Sequence, residues 1–241
     1  MTEACQPNPA SSVILLRPDE TGSFEVFMTR RPSAMKFMGG CCVFPGGSVE
    51  ESDWSEKMLK RCRGLSPGAA QSILGNGLSP ELSLAHWVAG IRELFEEAGV
   101  LFSVTENGDR FEAGKKDLRR RLSEKREALV GGRINFNSFL ESESLYCDVG
   151  HPVYFAHRIT PEWRPIRFDT RFFMASMPKD QKPLSSSGEV TESFWITPAR
   201  ALQEGEKGLL SLMPPTVAML RNLASHNSWQ ELQAAYRLRW P

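Results

Sequence analysis

Residues 92–99 of this 241-residue chain, Arg-Glu-Leu-Phe-Glu-Glu-Ala-Gly, constrain its fold more than any other stretch. Helical geometry sets residues three and four apart side by side, so Glu93, Glu96 and Glu97 gather on one face. Leu94 and Phe95, with Ile91 and Trp87 a turn earlier, fall on the other face and need an apolar partner. Gly99 supplies the stop. A helix built this way lies against a core on one side and keeps like charges together on the other, a repulsion that a bound cation relieves. Hard oxygen donors suit Mg²⁺ or Mn²⁺ better than zinc. A solvated acidic surface is the alternative reading of the same pattern.

Upstream, the apolar run 41–44 leads into Pro45-Gly46-Gly47-Ser48-Val49-Glu50-Glu51-Ser52-Asp53, which reads as a strand entering a glycine turn that carries further acids. Gly46 and Gly47 let the backbone approach a ligand or metal closely, where a Cβ would hinder it.

Together the two segments resemble the box of the Nudix hydrolases: Gly, five residues, Glu, seven residues, then Arg-Glu-apolar-x-Glu-Glu-x-Gly-apolar. The second half matches at every fixed position. The first half matches Gly47 and departs at Asp53, where the family pattern has Glu. A larger departure is the spacing, since 38 residues separate Asp53 from Arg92 where the family has seven. A long insertion at that point is similar to the acyl-coenzyme A diphosphatase branch of the family. Thr29, Arg31, Lys36 and Gly40 fall at the offsets of the segment that coenzyme A-cleaving members carry before the box, and Met38 departs from the histidine common there. Residues 167–173 and 189–195 also look like that branch, so the resemblance runs from about residue 12 to about residue 224.

The resemblance implies an α/β fold, the Nudix α/β/α sandwich with a mixed sheet and extra helical insertions. It also implies a role for each matching residue. Glu93 and Glu97 are principal metal ligands, Glu96 a further direct or water-mediated one, and the Gly46 or Gly47 carbonyl a backbone contributor. Asp53 binds through water or supports the site. Arg92 orients Glu93 and Asp53, or is a structural ion pair. The general base lies inside or outside the box, with Glu192 the outside candidate. Arg30, Arg31 and Lys36 would meet the phosphates of a coenzyme A substrate, or form a solvated strand edge. The implied reaction is attack of water on a diphosphate assisted by Mg²⁺ or Mn²⁺, yielding 3′,5′-ADP and 4′-phosphopantetheine from coenzyme A or its acyl form. Another nucleoside diphosphate derivative, such as ADP-ribose or NADH, is the alternative substrate, and a binding module with little turnover is the alternative class.

Composition narrows the partners. With 29 basic and 29 acidic residues the chain offers no general attraction to nucleic acid, so a polyanionic small molecule must be held by local cations. No run of eighteen apolar residues occurs, and residues 1–12 lack the pattern of a leader, which gives the expectation of a soluble, intracellular and cytoplasmic protein. The ending Leu238-Arg239-Trp240-Pro241 does not carry over the branch's peroxisomal address. A homodimer is left open. Five cysteines without a CxxC pair argue against a disulfide framework or a zinc site, and Cys41 and Cys42 read as small core residues.

One domain, residues 1–241, is expected. Strands are expected at 13–16, 24–29, 41–44, 153–159, 170–175 and 194–196. The insertion, about 54–82, reads as one or two short helices broken at Gly64 and ended at 75–77; its apolar content implies an ordered element packed on the sandwich beside the site. Helices are expected at 83–98, 115–129, 136–143, 216–224 and 229–238, with 103–145 a further helical addition and 115–129 a solvated helix. Arg167 and Arg171 alternate with aromatics and are assigned to ion pairs within the fold, Asp169 included, while the four histidines lack ligand spacing.

Overall fold

The computed structural model describes residues 6–35, 38–75, 77–112, 116–188 and 190–239. A strand buried on both faces reads as an unbroken apolar run, and the run at 13–16 is the centre of such a strand, β1 (Asn8–Pro18). It is followed by β2 (Phe24–Arg30), β3 (Cys42–Val43) and β4 (Gly46–Ser48). A 3-10 turn at Glu51–Trp54 leads to α1 (Glu56–Lys60), β5 (Cys62–Arg63), α2 (Pro67–Leu74) and the box helix α3 (Pro80–Ala98). Then come β6 (Ser103–Val104), α4 (Lys116–Val130), α5 (Phe136–Ser142), β7 (Tyr146–Asp148), β8 (Val153–Ile159) and β9 (Phe168–Ser176). The chain closes with β10 (Glu192–Ile196), α6 (Pro198–Glu206), α7 (Pro214–Ala224) and α8 (Trp229–Tyr236).

The main sheet runs β10-β2-β1-β9-β8, with β3 on β2 and β4 on β1. It is mixed, since β1 and β9 are parallel while its other pairs are antiparallel. The two-residue period of β1 sends its neighbours to opposite cores. Val13 and Leu15, with Phe173 and Ala175, pack against Trp87, Val88, Ile91 and Leu94 of α3. Ile14 and Leu16 join Met219, Leu220 and Leu223 of α7 and Leu232 of α8 on the far side. Helices thus cover both faces of a mixed sheet, as the sequence implied.

Three expectations need correction. The glycines at 46–47 do not form a turn after a 41–44 strand. They lie in β4, paired antiparallel with Ser11 and Ser12 of β1, because Pro45 interrupts the run and the absence of a Cβ lets the strand sit tightly. The insertion adds a strand as well as helices: β5 pairs in parallel with β7, which pairs with β6 in a second small sheet. The helix at 116–130 is not solvated all round, since Leu122 and Leu129 enter the core of α3.

Candidate metal centre

The box helix is cut at both ends by local chemistry. Ser79 caps its start, accepting from Leu82 N–H at 3.1 Å, with Pro80 in the first turn. Gly99 ends it in the left-handed conformation at φ 69°, returning its N–H to the Phe95 carbonyl. Leu94 and Phe95 are buried as their spacing requires, which fixes the rotation of the carboxylate face.

At the centre of that face is Arg92, 3% exposed, whose guanidinium donates in four directions. Its Nε and Nη2 grip both oxygens of Asp53 at 3.0 Å, Nη2 also meets the Ser48 carbonyl at 2.8 Å, and Nη1 meets Glu93 Oε1 at 2.8 Å and lies 3.5 Å from Glu96. Burial works against the charge on Arg92, but the bonds to Asp53 and the charges of Asp53, Glu93 and Glu96 outweigh it and raise its pKa. The two halves of the interrupted box are therefore joined by one buried, bidentate ion pair.

Of the two parts expected of Asp53, a ligand through water or a support of the site, the geometry matches the support. Both of its oxygens are taken by Arg92, and Oδ2 also accepts the Glu50 N–H at 2.9 Å, capping the 3-10 turn. The shorter side chain fits a carboxylate that must cap its own turn and hold an arginine at once.

The other box groups gather around this pair. Glu97, 6% exposed, accepts the Gly46 N–H at 3.3 Å. Glu93 lies over Gly47, where a Cβ would come within 2.3 Å of Glu93 Oε1. Burial, opposed by Arg92 and reinforced by the charges of Glu93 and Glu50, pushes the Glu96 carboxyl up to about 7. The donor set fits a hard divalent cation in kind, and the bare backbone at Gly47 gives Glu93 its room. As the side chains stand, Glu93 is turned onto Arg92 and Glu97 onto Gly46, and among the described residues no three ligand-type groups converge on one point.

Among the residues expected outside the box, Glu192 and Arg30 meet each other, at 3.1 Å across the β10–β2 pair. A base candidate and a phosphate-binding candidate thus form one surface ion pair. The Arg31 backbone closes the loop between β2 and β3, donating to the Cys41 carbonyl and accepting from Gly40 N–H, while its Nε is buried without an acceptor among the described residues. Lys36 lies outside the described residues. Arg171 pairs with Asp169, which also meets His157, and Arg167 Nε donates to the Thr160 carbonyl, so both arginines serve the fold.

One cation near the carboxylates was missed. Arg126 of α4 donates from Nη1 to the Glu96 carbonyl at 2.5 Å. The signal in the sequence is an arginine on the stripe formed by Leu118, Leu122 and Leu129 of an otherwise charged helix.

The family model for the NUDT19 Nudix domain matches residues 4–223. Among curated proteins the chain is 28% identical over 204 residues to putative nudix hydrolase 7 of Caenorhabditis elegans, covering 85% of this chain and 57% of that protein. It is 26% identical over 243 residues to the acyl-coenzyme A diphosphatase NUDT19 of Xenopus laevis, covering 89% and 63%. The chain spans about three fifths of the length of these relatives. Among solved structures, a NUDIX hydrolase from Alicyclobacillus acidocaldarius superposes with a TM-score of 0.76 at 25% identity, covering 98% of this chain and 99% of that one.

Proposed function

The chain belongs to the NUDT19 Nudix domain family, and from that premise we propose that it is a divalent-metal-dependent diphosphatase acting on coenzyme A or acyl-coenzyme A, releasing 3′,5′-ADP and the (acyl-)4′-phosphopantetheine. The observation that carries the reading is the Arg92–Asp53 pair. It spans the long insertion and draws Glu93, Glu96 and Glu97 beside the β4 glycines, an assembly that a merely solvated acidic helix has no reason to build.

Glu93, Glu96 and Glu97 would hold Mg²⁺ or Mn²⁺, which would lower the pKa of a water and shield the diphosphate oxygens. Arg92 keeps its proton and holds Glu93 by one donor while Asp53 fixes the other side of the guanidinium, so Arg92 orients the ligand and leaves phosphate to other cations. The Nε of Arg31 has no acceptor among the described residues, which supports its assignment to a substrate phosphate; Lys36, five residues on in the sequence, is assigned with it from the resemblance alone. Arg30 is already matched by Glu192, which weakens both of their assignments.

The test is hydrolysis of coenzyme A, an acyl-coenzyme A, ADP-ribose and NADH with Mg²⁺ and with Mn²⁺. The expected outcome is metal-dependent release of 3′,5′-ADP from the coenzyme A substrates at the highest kcat/KM, with Glu97→Gln at least about a hundredfold slower and still folded. A preference for ADP-ribose or NADH would overturn the substrate. No turnover of any of them would leave a nucleotide-binding module.

A further inference from the structure

Helix α4 lies outside the box, yet it reaches the box helix at the turn that carries two of the three clustered glutamates. Leu118, Leu122 and Leu129 face the core shared with α3. Arg126 stands on the same stripe, four residues after Leu122 and three before Leu129. A guanidinium placed among leucines loses hydration, and burial lowers the pKa of Arg126 against the pull of Glu127 and Glu96. Its Nε is buried with no acceptor among the described residues. Its one bond there, from Nη1, goes to the backbone carbonyl of Glu96 at 2.5 Å.

That carbonyl is in the last turn of α3, where the oxygens have no partner within the helix. The Phe95 carbonyl is taken by Gly99 N–H, and the Ala98 carbonyl by Leu184 N–H at 2.9 Å. The Glu96 carbonyl is taken by Arg126, whose charge also suits the negative end of the helix dipole. Glu96 and Glu97 are thus held from behind by donors brought in from α4 and from residue 184. A leucine in place of Arg126 would pack on the stripe without the desolvation cost. The cost is offset only if the position of this turn matters.

We propose that Arg126 is a positioning residue of the metal centre: by clamping the Glu96 carbonyl it holds the last turn of the box helix in place and so keeps Glu96 and Glu97 on the helix face that Glu93 shares. The inference rests on the metal-dependent reading above and adds that the helical segment after the box is part of the centre's construction.

Mn²⁺ alone, titrated into the protein without substrate, tests it. Arg126→Met keeps much of the apolar stem and removes the donor; Arg126→Lys and Arg126→Gln keep a donor, the second without charge. The expected result is binding of Mn²⁺ weakened about fivefold or more in Arg126→Met and at least partly restored in both donor-bearing variants, with far-ultraviolet circular dichroism unchanged. Should Arg126→Met unfold, Arg126→Leu beside a Leu122→Ala control decides the matter: weaker Mn²⁺ binding in Arg126→Leu alone supports the clamp, and equal affinities in the two reduce Arg126 to packing. Wild-type affinity in a folded Arg126→Met overturns the clamp. Wild-type protein that binds no Mn²⁺ overturns the metal reading beneath it, and the clamp falls with that reading.

Discussion

The ring of His86 is 1% exposed, with Nδ1 3.0 Å from the Ser11 hydroxyl and 3.2 Å from the Ala10 carbonyl. It ties the first half of the box helix to β1 directly beneath the site. Burial, with the nearby charge of Arg171, holds its pKa down to about 4, against 6.5 in an exposed histidine. The folded protein therefore binds fewer protons than the unfolded chain between those values, and stability is lost as pH falls from 6.5 toward 4. A shift of this size corresponds to about 3 kcal/mol at most. Denaturant titrations at pH 7 and pH 4.5 should show His86→Asn losing less stability over that interval than the wild type; equal losses would mean that the ring is hydrated or its proton is accommodated.

At the scale of elements, β4 shows how neighbouring glycines serve different ends. A Cβ at Gly46 would meet backbone, the Ser11 carbonyl at 2.3 Å and Ser12 Cα at 2.7 Å, whereas one at Gly47 would meet the movable end of Glu93. Gly46→Ala should cost on the order of 2–4 kcal/mol in chemical denaturation, because two strands must part. Gly47→Ala should stay within about 1 kcal/mol of wild type yet lose Mn²⁺ binding, since Glu93 is the group that gives way. Comparable stability losses in the two variants would sink the distinction. The sequence made the carboxylate face and the apolar face of α3 legible because a 3.6-residue period records them directly. It did not show that Gly46 and Gly47 extend a sheet, since that depends on Ser11 and Ser12, partners distant in the chain; the pairing of Arg92 with Asp53 came only with the family resemblance. Strands β6 and β7 escaped notice for a related reason: they are two and three residues long and owe their existence to pairing. Arg126 was written in the pattern of α4, but the charge around it reads as solvated surface until a helix is packed against its leucines.

For the molecule as a whole, the insertion is core and not appendage. Met58, 1% exposed, and Ala70 pack in the same cluster as Leu84, Trp87 and Ile91, so residues inside the interrupted box help seat the helix that completes it. Met58→Ala should therefore destabilise the fold by about 2–5 kcal/mol in a thermal or denaturant melt, and a loss below about 1 kcal/mol would return the insertion to the status of a flap. Exchanging residues 58–77 for a flexible linker would remove this support together with β5. The parallel pairing of β5 with β7 also sets an order in time. Arg61, Cys62 and Arg63 have their strand partners only at Cys147 and Asp148, far down the chain, so while the protein is being synthesised the insertion emerges before the strand that secures it. Closing so long a loop is slow compared with winding a helix. The box is thus complete in sequence at Gly99 while the segment between its halves still lacks the strand, at Cys147 and Asp148, that anchors it in the finished fold.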